Sequence, residues 1–272
     1  MLWQAIGAVH DLGRLHDIAA VLIRYGFGDQ VRRIGMSGVL ERAGRVLHWR
    51  APDELARLEP PARVRRVLEE LGPTFVKLGQ ILSTRIDLFA PEWIAEFGKL
   101  QDAAPVVPFD ALRAQLTEDL GEPPEEVFVA LETTPLAAAS LAQVHRARLT
   151  NGDEVVLKIR RPGIRKVVEA DLRLLAHIAE IVETEVPELR RYHLQEVVRQ
   201  FTISLRRELD FAAECRNAER IAANFAEHQE IIIPRVHWQW VSERLNVQDY
   251  IRGIPGRDLK AVDEAGLDRK LL

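Results

Sequence analysis

The stretch Asn151-Gly152-Asp153 constrains the 272-residue chain more than any other. An Asn-Gly step between two apolar-rich runs is a strong hairpin signal, because both residues accept the left-handed backbone that a tight reversal needs. The runs here are Leu141 to Leu149 and Val155 to Ile159. Strand alternation in the second run puts Val156 and Lys158 on one face, and Val155, Leu157 and Ile159 on the other. A lysine inside an apolar strand needs a partner, since an unpaired buried ammonium is costly. Taken alone, the strand favours a plainer reading, a solvent-facing lysine on a half-exposed hairpin.

Residues 1–122 read as mostly helical. Arg32, Arg33, Arg42, Arg45 and Arg50 lead to a helix start at Pro52, and Pro60-Pro61 breaks the chain. Apolar residues at helical spacing mark Ala62 to Glu70 and Phe75 to Arg85. Pro91, Pro105 and Pro108 punctuate a linker, and a short helix is expected over Phe109 to Leu120, closed by Gly121 and Pro123-Pro124. Val127 to Leu131 then reads as a strand. After the hairpin come helices over Ile164 to Glu185 and His193 to Ala226, then strands over Ile231 to Val241 and Leu245 to Ile251. A connector follows at Gly253 and Pro255-Gly256, and Ala261 to Leu272 is helix-like.

This order predicts an α+β fold laid out like a protein-kinase N-lobe. An antiparallel sheet is built on the hairpin, one long helix carries acidic residues, and the last strand runs into a hinge. The expected division is a helical N-terminal extension over 1–122, the N-lobe over 123–253, and the hinge with the start of a largely missing C-lobe over 254–272.

Composition narrows the function classes. With 47% hydrophobic and 29% charged residues the chain is globular in character, and a formal net charge of −4 gives nothing global to attract nucleic acid. The single cysteine, Cys215, permits no internal disulfide and fits a reducing compartment. Asp11, Arg14 and Asp17 interrupt the first apolar stretch, so no secretory signal is expected. The run Ile18 to Ile23 is far short of the ~20 residues of a spanning helix. Residues 1–25 read first as a helix packed on its own protein. The sharper reading is an interfacial helix, with Leu2, Trp3, Ile6, Val9 and Leu22 against lipid and Arg14 and Arg24 beside anionic headgroups.

Three further stretches can carry chemistry. Pro135 to Ser140, read as a loop between two strands ahead of Lys158, contains Ala137, Ala138, Ala139 and Ser140. Small side chains allow close approach to a phosphate, though they restrict φ more than glycine does. Lys77 and Gln80 are three apart and share a helix face, while Gly79 between them permits another element to come close. In Arg206 to Asn217, Glu208 and Asp210 are two apart and point in nearly opposite directions on a continuous helix. Asp210, Glu214 and Asn217 share a face that would suit a cation. The plainer reading of this last stretch is a surface network in which Arg206 pairs with Asp210.

Together and in order, these stretches resemble the UbiB family of atypical protein-kinase-like proteins. Lys77-Leu78-Gly79-Gln80 resembles its K-x-G-Q motif, and Ala137-Ala138-Ala139-Ser140 its alanine-rich loop. Val156 to Gly163 is similar to its nucleotide-lysine strand and following turn. Glu208-Leu209-Asp210 resembles its E-x-D motif, with Phe211 and Glu214 behind it. Tyr250-Ile251-Arg252-Gly253 resembles the end of its fifth strand at the hinge.

The resemblance implies that Lys158 contacts the α- and β-phosphates of ATP. An acidic residue of the 193–226 helix orients it, Glu208 first and Asp210 or Glu214 next. Ala137, Ala138, Ala139, Ser140 and Asp249 are implied in nucleotide binding, and Lys77, Gln80, Glu208 and Asp210 in regulation, with Lys77 and Gln80 approaching the E-x-D side. ATP and Mg²⁺ are the implied cofactors, with the Mg²⁺ ligands mainly in the C-lobe and none assigned here. The implied activity is an ATPase or phosphotransfer to a small molecule or lipid, in support of ubiquinone biosynthesis. The alternative is a nucleotide-regulated binding module for a membrane-associated quinone-pathway complex. Implied partners are the nucleotide and quinone-pathway proteins or lipid, with no nucleic acid. The implied location is the cytoplasm, with peripheral contact at the inner face of the cell membrane. A histidine-aspartate catalytic loop and an Asp-Phe-Gly segment do not occur in the 272 residues. An incomplete fragment without turnover is therefore expected. Gln248-Asp249 stands where the family more often has an apolar residue and a glutamate.

Overall fold

The computed structural model describes residues 9–42, 44, 55, 58–100, 104–256 and 258–269. Helices α1 (Val9–Arg24), α2 (Gly28–Arg33), α3 (Met36–Arg42), α4 (Pro60–Leu71), α5 (Pro73–Leu82) and α6 (Pro91–Phe97) come first. Proline opens α4, α5 and α6, where its missing N–H would have had no intrahelical partner and its fixed φ suits the first turn. On α1, Leu15, Ile18, Ala19 and Ile23 are at most 2% exposed and pack with Leu68, Leu71, Phe75 and Phe97. Burying each large aliphatic side chain is worth ~1.5–3 kcal/mol. The apolar stripe of α1 is thus committed to the protein's own core. Leu22, expected against lipid on the sharper reading, packs on that core too. Leu2, Trp3, Ile6 and the helix start at Pro52 lie outside the described residues, as does the side chain of Val9. Among the described residues no helix is long and apolar enough to cross a membrane.

A buried ion pair ties this block to helix α9 (Ile164–Glu185), which keeps its expected bounds. Arg14 Nε donates to Asp171 Oδ1 at 2.6 Å, and another guanidinium nitrogen donates to the Leu71 carbonyl at 2.5 Å. The Asp171 side chain is fully buried.

Strands β1 (Phe128–Leu131), β3 (Ala142–Leu149), β4 (Glu154–Arg160) and β5 (Leu245–Asp249) form an antiparallel sheet in that order, with the short β2 (Ala137–Ala138) beside β3. The expected hairpin forms. Gly152 has a φ of +92°, and the Asn151 side-chain oxygen accepts the Asp153 N–H at 3.0 Å. Val155, Leu157, Ile159, Leu245 and Val247 are fully buried on one sheet face, against Leu112 and Leu116 of helix α7 (Phe109–Leu120). The short helix α8 (Pro124–Val127) leads from α7 into β1. Lys158 lies between Val144 and Asn246 in register, on the opposite face.

Several expectations about elements fail, among them the linker at Pro91, where α6 begins. The single helix over His193 to Ala226 is two, α10 (Leu194–Glu208) and α11 (Phe211–Asn224). Asp210 sits between them in extended conformation and its carboxylate accepts the Ala213 N–H at 3.0 Å. An aspartate at a helix start satisfies a backbone donor that has no intrahelical acceptor, which makes the break a stable cap. Ile231 to Val241 is not a strand. Val236 makes one isolated bridge to Gln248, and Trp238–Trp240 is a 3-10 turn. Pro234 interrupts that run and has no N–H for a ladder. The last helix, α12 (Leu259–Glu264), is shorter than Ala261 to Leu272, whose last three residues lie outside the described ones.

Candidate functional site

Lys158 reaches its partner across the open face of the sheet. Its Nζ donates to Glu214 Oε2 at 2.7 Å and Oε1 at 2.9 Å. The same ammonium lies 4.8 Å from the centre of the Phe211 ring, within range of the ring's negative face. Both partners come from the first turn of α11, whose start is fixed by the Asp210 cap and whose body packs on β5.

Glu208, expected first as the partner of Lys158, is turned elsewhere by the break after α10. Its carboxylate lies 3.1 Å from Lys77 Nζ on α5. Asp210 is occupied by the α11 N-terminus and, at 3.5 Å, by Arg216. The alternative pair Arg206–Asp210 does not form, because Arg206 grips Glu169 on α9 at 2.7 Å. The two carboxylates of the E-x-D stretch therefore serve different partners, as expected, but through a change of helix and not through opposite faces of one.

The alanine-rich stretch is not a loop but a hairpin. Ala137 and Ala138 pair with Val144 and Gln143, and the Ala139 N–H donates to the Ala142 carbonyl at 2.9 Å. Ser140 and Leu141 form its tip and are nearly buried. Arg161 clamps this turn. Its Nε donates to the Ala139 carbonyl at 2.8 Å, its backbone N–H to Leu141, and a terminal nitrogen to the Pro105 carbonyl. Arg160 is 6% exposed and donates to the Leu209 carbonyl at 2.6 Å, fastening the end of β4 to the α10–α11 break. Burial pushes both guanidinium groups below their usual range. Sequence reasoning gave these two arginines no role. The signal available was an Arg-Arg pair closing an apolar strand.

Lys77, Ala139, Ser140, Lys158, Glu208 and Glu214 line one cleft of about 1060 Å³. That is just above the range of small-ligand sites, ~300–1,000 Å³. Ala137 and Ala138 stay in the ladder behind it. Gln80 is not in the lining. Its amide nitrogen donates to the Leu100 carbonyl at 3.4 Å. Asp249 is also outside the lining; its carboxylate meets His237 Nε2 at 2.8 Å, and its backbone N–H donates to the Arg235 carbonyl at 3.0 Å. Gly79 does permit a close approach. A methyl group there would meet Leu68 Cδ1 at 2.8 Å and Leu100 Cδ1 closer still.

These donors suit an anionic ligand and do not suit a metal ion by themselves. Among the described residues no three metal-binding side chains converge. Glu208, Asp210 and Glu214 are each taken by a cation or a helix terminus.

The ABC1 atypical kinase-like domain family matches residues 99–272. A "probable protein kinase UbiB" of Pseudomonas aeruginosa (strain LESB58) is 38% identical over 261 residues, covering 95% of this chain and 49% of that protein. The protein of the same description from Cronobacter sakazakii is 39% identical over 266 residues, covering 96% of this chain and 48% of that protein. A solved complex of Rv3197 with erythromycin, from Mycobacterium tuberculosis, is 24% identical, with 85% of this chain and 53% of that chain covered at a TM-score of 0.49. The chain spans about half the length of the curated relatives it matches.

Proposed function

The chain belongs to the UbiB family of ABC1-type atypical kinase-like proteins, and from that premise we propose that its cleft binds the phosphates of ATP. The observation that carries this reading is the two-pronged Lys158–Glu214 pair on the cleft floor. A lysine held in one orientation by a helix carboxylate is the arrangement by which kinase-like sites present an ammonium to α- and β-phosphates. The Ala139-Ser140 turn supports the same reading, since its small side chains let backbone come close to a phosphate and Arg161 keeps the turn in place.

Lys77 and Glu208 border the same cleft from the α5 side, and we read them as the contact that regulates access to it. Mg²⁺ is expected to accompany the nucleotide. For the whole protein we propose ATP hydrolysis, or phosphotransfer to a small molecule or lipid, in support of ubiquinone biosynthesis. Its partners would be quinone-pathway proteins or lipid, and it would act in the cytoplasm with peripheral contact at the membrane's inner face.

The test is thermal unfolding with and without Mg²⁺-ATP. A ligand at ten times its Kd stabilises by ~1.4 kcal/mol, which raises the midpoint by about 3–6 °C. Lys158→Met should remove most of that rise. An equal rise in both proteins, or none in the wild type, would contradict the reading.

A further inference from the structure

Where β4 ends and α9 begins, a second pocket of about 520 Å³ opens, sharing none of its lining with the cleft. Its described lining sets six cations, Arg160, Arg161, Arg165, Lys166, Arg173 and Arg244, against one carboxylate, Glu169. That carboxylate is turned to Arg206, outside the lining, at 2.7 Å. Arg165 and Arg244 have acidic partners of their own, Glu243 for the first and Asp119, at 2.9 Å, for the second. Among the described residues Arg160 and Arg161 have none. The Arg160 guanidinium donates to the Leu209 and Glu243 carbonyls, and that of Arg161 to the Ala139 and Pro105 carbonyls. Lys166, exposed on the first turn of α9, has no ion pair among the described residues either.

A carbonyl is a dipole and leaves the net charge of a guanidinium uncompensated, which is costly away from water. Burial, followed by the like charges of Arg165 and Arg244, pushes the Arg160 guanidinium below its usual range. An anion in the pocket would supply the missing counter-charge. Guanidinium forks match phosphate oxygens, and a lysine adds a mobile point charge. Gly163 brings the positive end of the 22-residue helix α9 to the same lining. The surroundings limit the anion's size. Glu118 and Glu243, with side chains 68% and 57% exposed, lie outside the lining but bond to Arg244 and Arg165. A flat anionic surface such as a bilayer would meet these carboxylates, whereas a small anion enters between them.

We propose that this pocket binds a compact soluble anion carrying phosphate groups, of the class of pyrophosphate or a small phosphate ester. The site is separate from the nucleotide cleft and does not rest on the nucleotide reading. Arg160 and Arg161 link the two. One fastens the α10–α11 break, and the other holds the Ala139 turn that lines the cleft.

The probe is pyrophosphate, titrated by calorimetry into the 272-residue chain carrying Lys158→Met, so that the cleft lysine takes no part. Ionic strength is held fixed, and thermal unfolding checks that every variant is folded at the titration temperature. Pyrophosphate should bind Lys158→Met. Adding Lys166→Gln should weaken binding about tenfold, the loss of one charge-assisted contact. Adding Lys166→Arg should keep most of it. Lys260→Gln controls for net charge, since Lys260 is an exposed lysine of α12 outside the lining, and it should leave the affinity as it is. A parallel arm sediments the same proteins with phosphatidic acid vesicles. No binding to Lys158→Met, no loss with Lys166→Gln, or an equal loss with Lys260→Gln overturns the proposal. So does Lys166-dependent binding confined to the vesicles, which would put a bilayer at this surface. Unchanged ATP affinity in Lys158→Met would count against the nucleotide site alone.

Discussion

Lys77 on α5 and Glu208 at the end of α10 lie 3.1 Å apart, joining two stretches that are more than a hundred residues apart in sequence. Leu78 and Ile81 pack on the α9–α10 core beside this contact, so α5 is held by one ion pair and an apolar seam. The Lys77 and Glu208 side chains are 19% and 38% exposed, which limits the pair itself to ~1 kcal/mol or less.

Charge reversal at Lys77 should loosen this docking more than neutralisation would, because Lys77→Glu sets two carboxylates against each other. Limited proteolysis in the segment 85–125 should speed up in Lys77→Glu. It should return towards the wild-type rate in Lys77→Glu/Glu208→Lys. Equal rates in the wild type and the single variant would mean that this pair does not hold the helix.

Gly79→Ala should destabilise the fold even though alanine is the better helix former by ~1 kcal/mol. The added methyl collides with Leu68 and Leu100, both buried in the helical core. Overpacking of this kind costs ~1–3 kcal/mol, so a net loss of about 1 kcal/mol and a midpoint lower by about 2–4 °C are expected. A raised midpoint would show that the two leucines move aside freely.

Asp171→Ala removes the buried partner of Arg14 and leaves a guanidinium against the Leu71 carbonyl with its charge uncompensated. Breaking a buried pair costs ~3–5 kcal/mol. Arg14 retains 21% side-chain exposure, which places the expected loss near the low end. Urea unfolding followed by circular dichroism measures it. A loss no larger than that of an exposed pair would show that the link between α1 and α9 is not structural.

The fold was legible where the determining chemistry is local. Asn151-Gly152 specifies its own reversal, and the apolar spacing of Ile164 to Glu185 specifies one long helix that Gly163, at φ +75°, is free to start. The partner of Lys158 was not legible in the same way. Glu208, Asp210 and Glu214 lie within one short stretch, and which of them meets the lysine depends on the break at Leu209-Asp210. The usable signal was an aspartate in capping position with Glu214 one turn on. Ile231-Ile232-Ile233 has strand-forming residues, yet Pro234 and an exposed Ile232 put it outside the sheet. The Arg161 clamp depends on where the Ala139 and Pro105 carbonyls meet in space, which no local pattern encodes.

Cys215, beside Glu214 and 1% exposed, should be inert to thiol reagents in the native protein. Burial, with Glu214 and Glu219 adding to it, pushes its thiol from 9.0 up to about 11. The unfolded thiol ionises first as pH rises, so the stability linked to this group is full below about pH 9 and is lost between about pH 9 and 11. The unfolding midpoint should fall more steeply across that window in the wild type than in Cys215→Ala. Parallel curves would contradict the assignment.

The central claim is that Lys158, oriented by Glu214, receives nucleotide phosphate in the cleft. Calorimetric titration of Mg²⁺-ATP into the wild type, Lys158→Ala, Glu214→Gln and Glu208→Gln tests it most directly. Loss of a hydrogen bond to a charged group costs ~1.5–3 kcal/mol, so Lys158→Ala should weaken binding by about ten- to a hundredfold. Glu214→Gln should lose more affinity than Glu208→Gln, because only Glu214 contacts Lys158. Wild-type affinity in Lys158→Ala, or a larger loss in Glu208→Gln than in Glu214→Gln, would contradict the account.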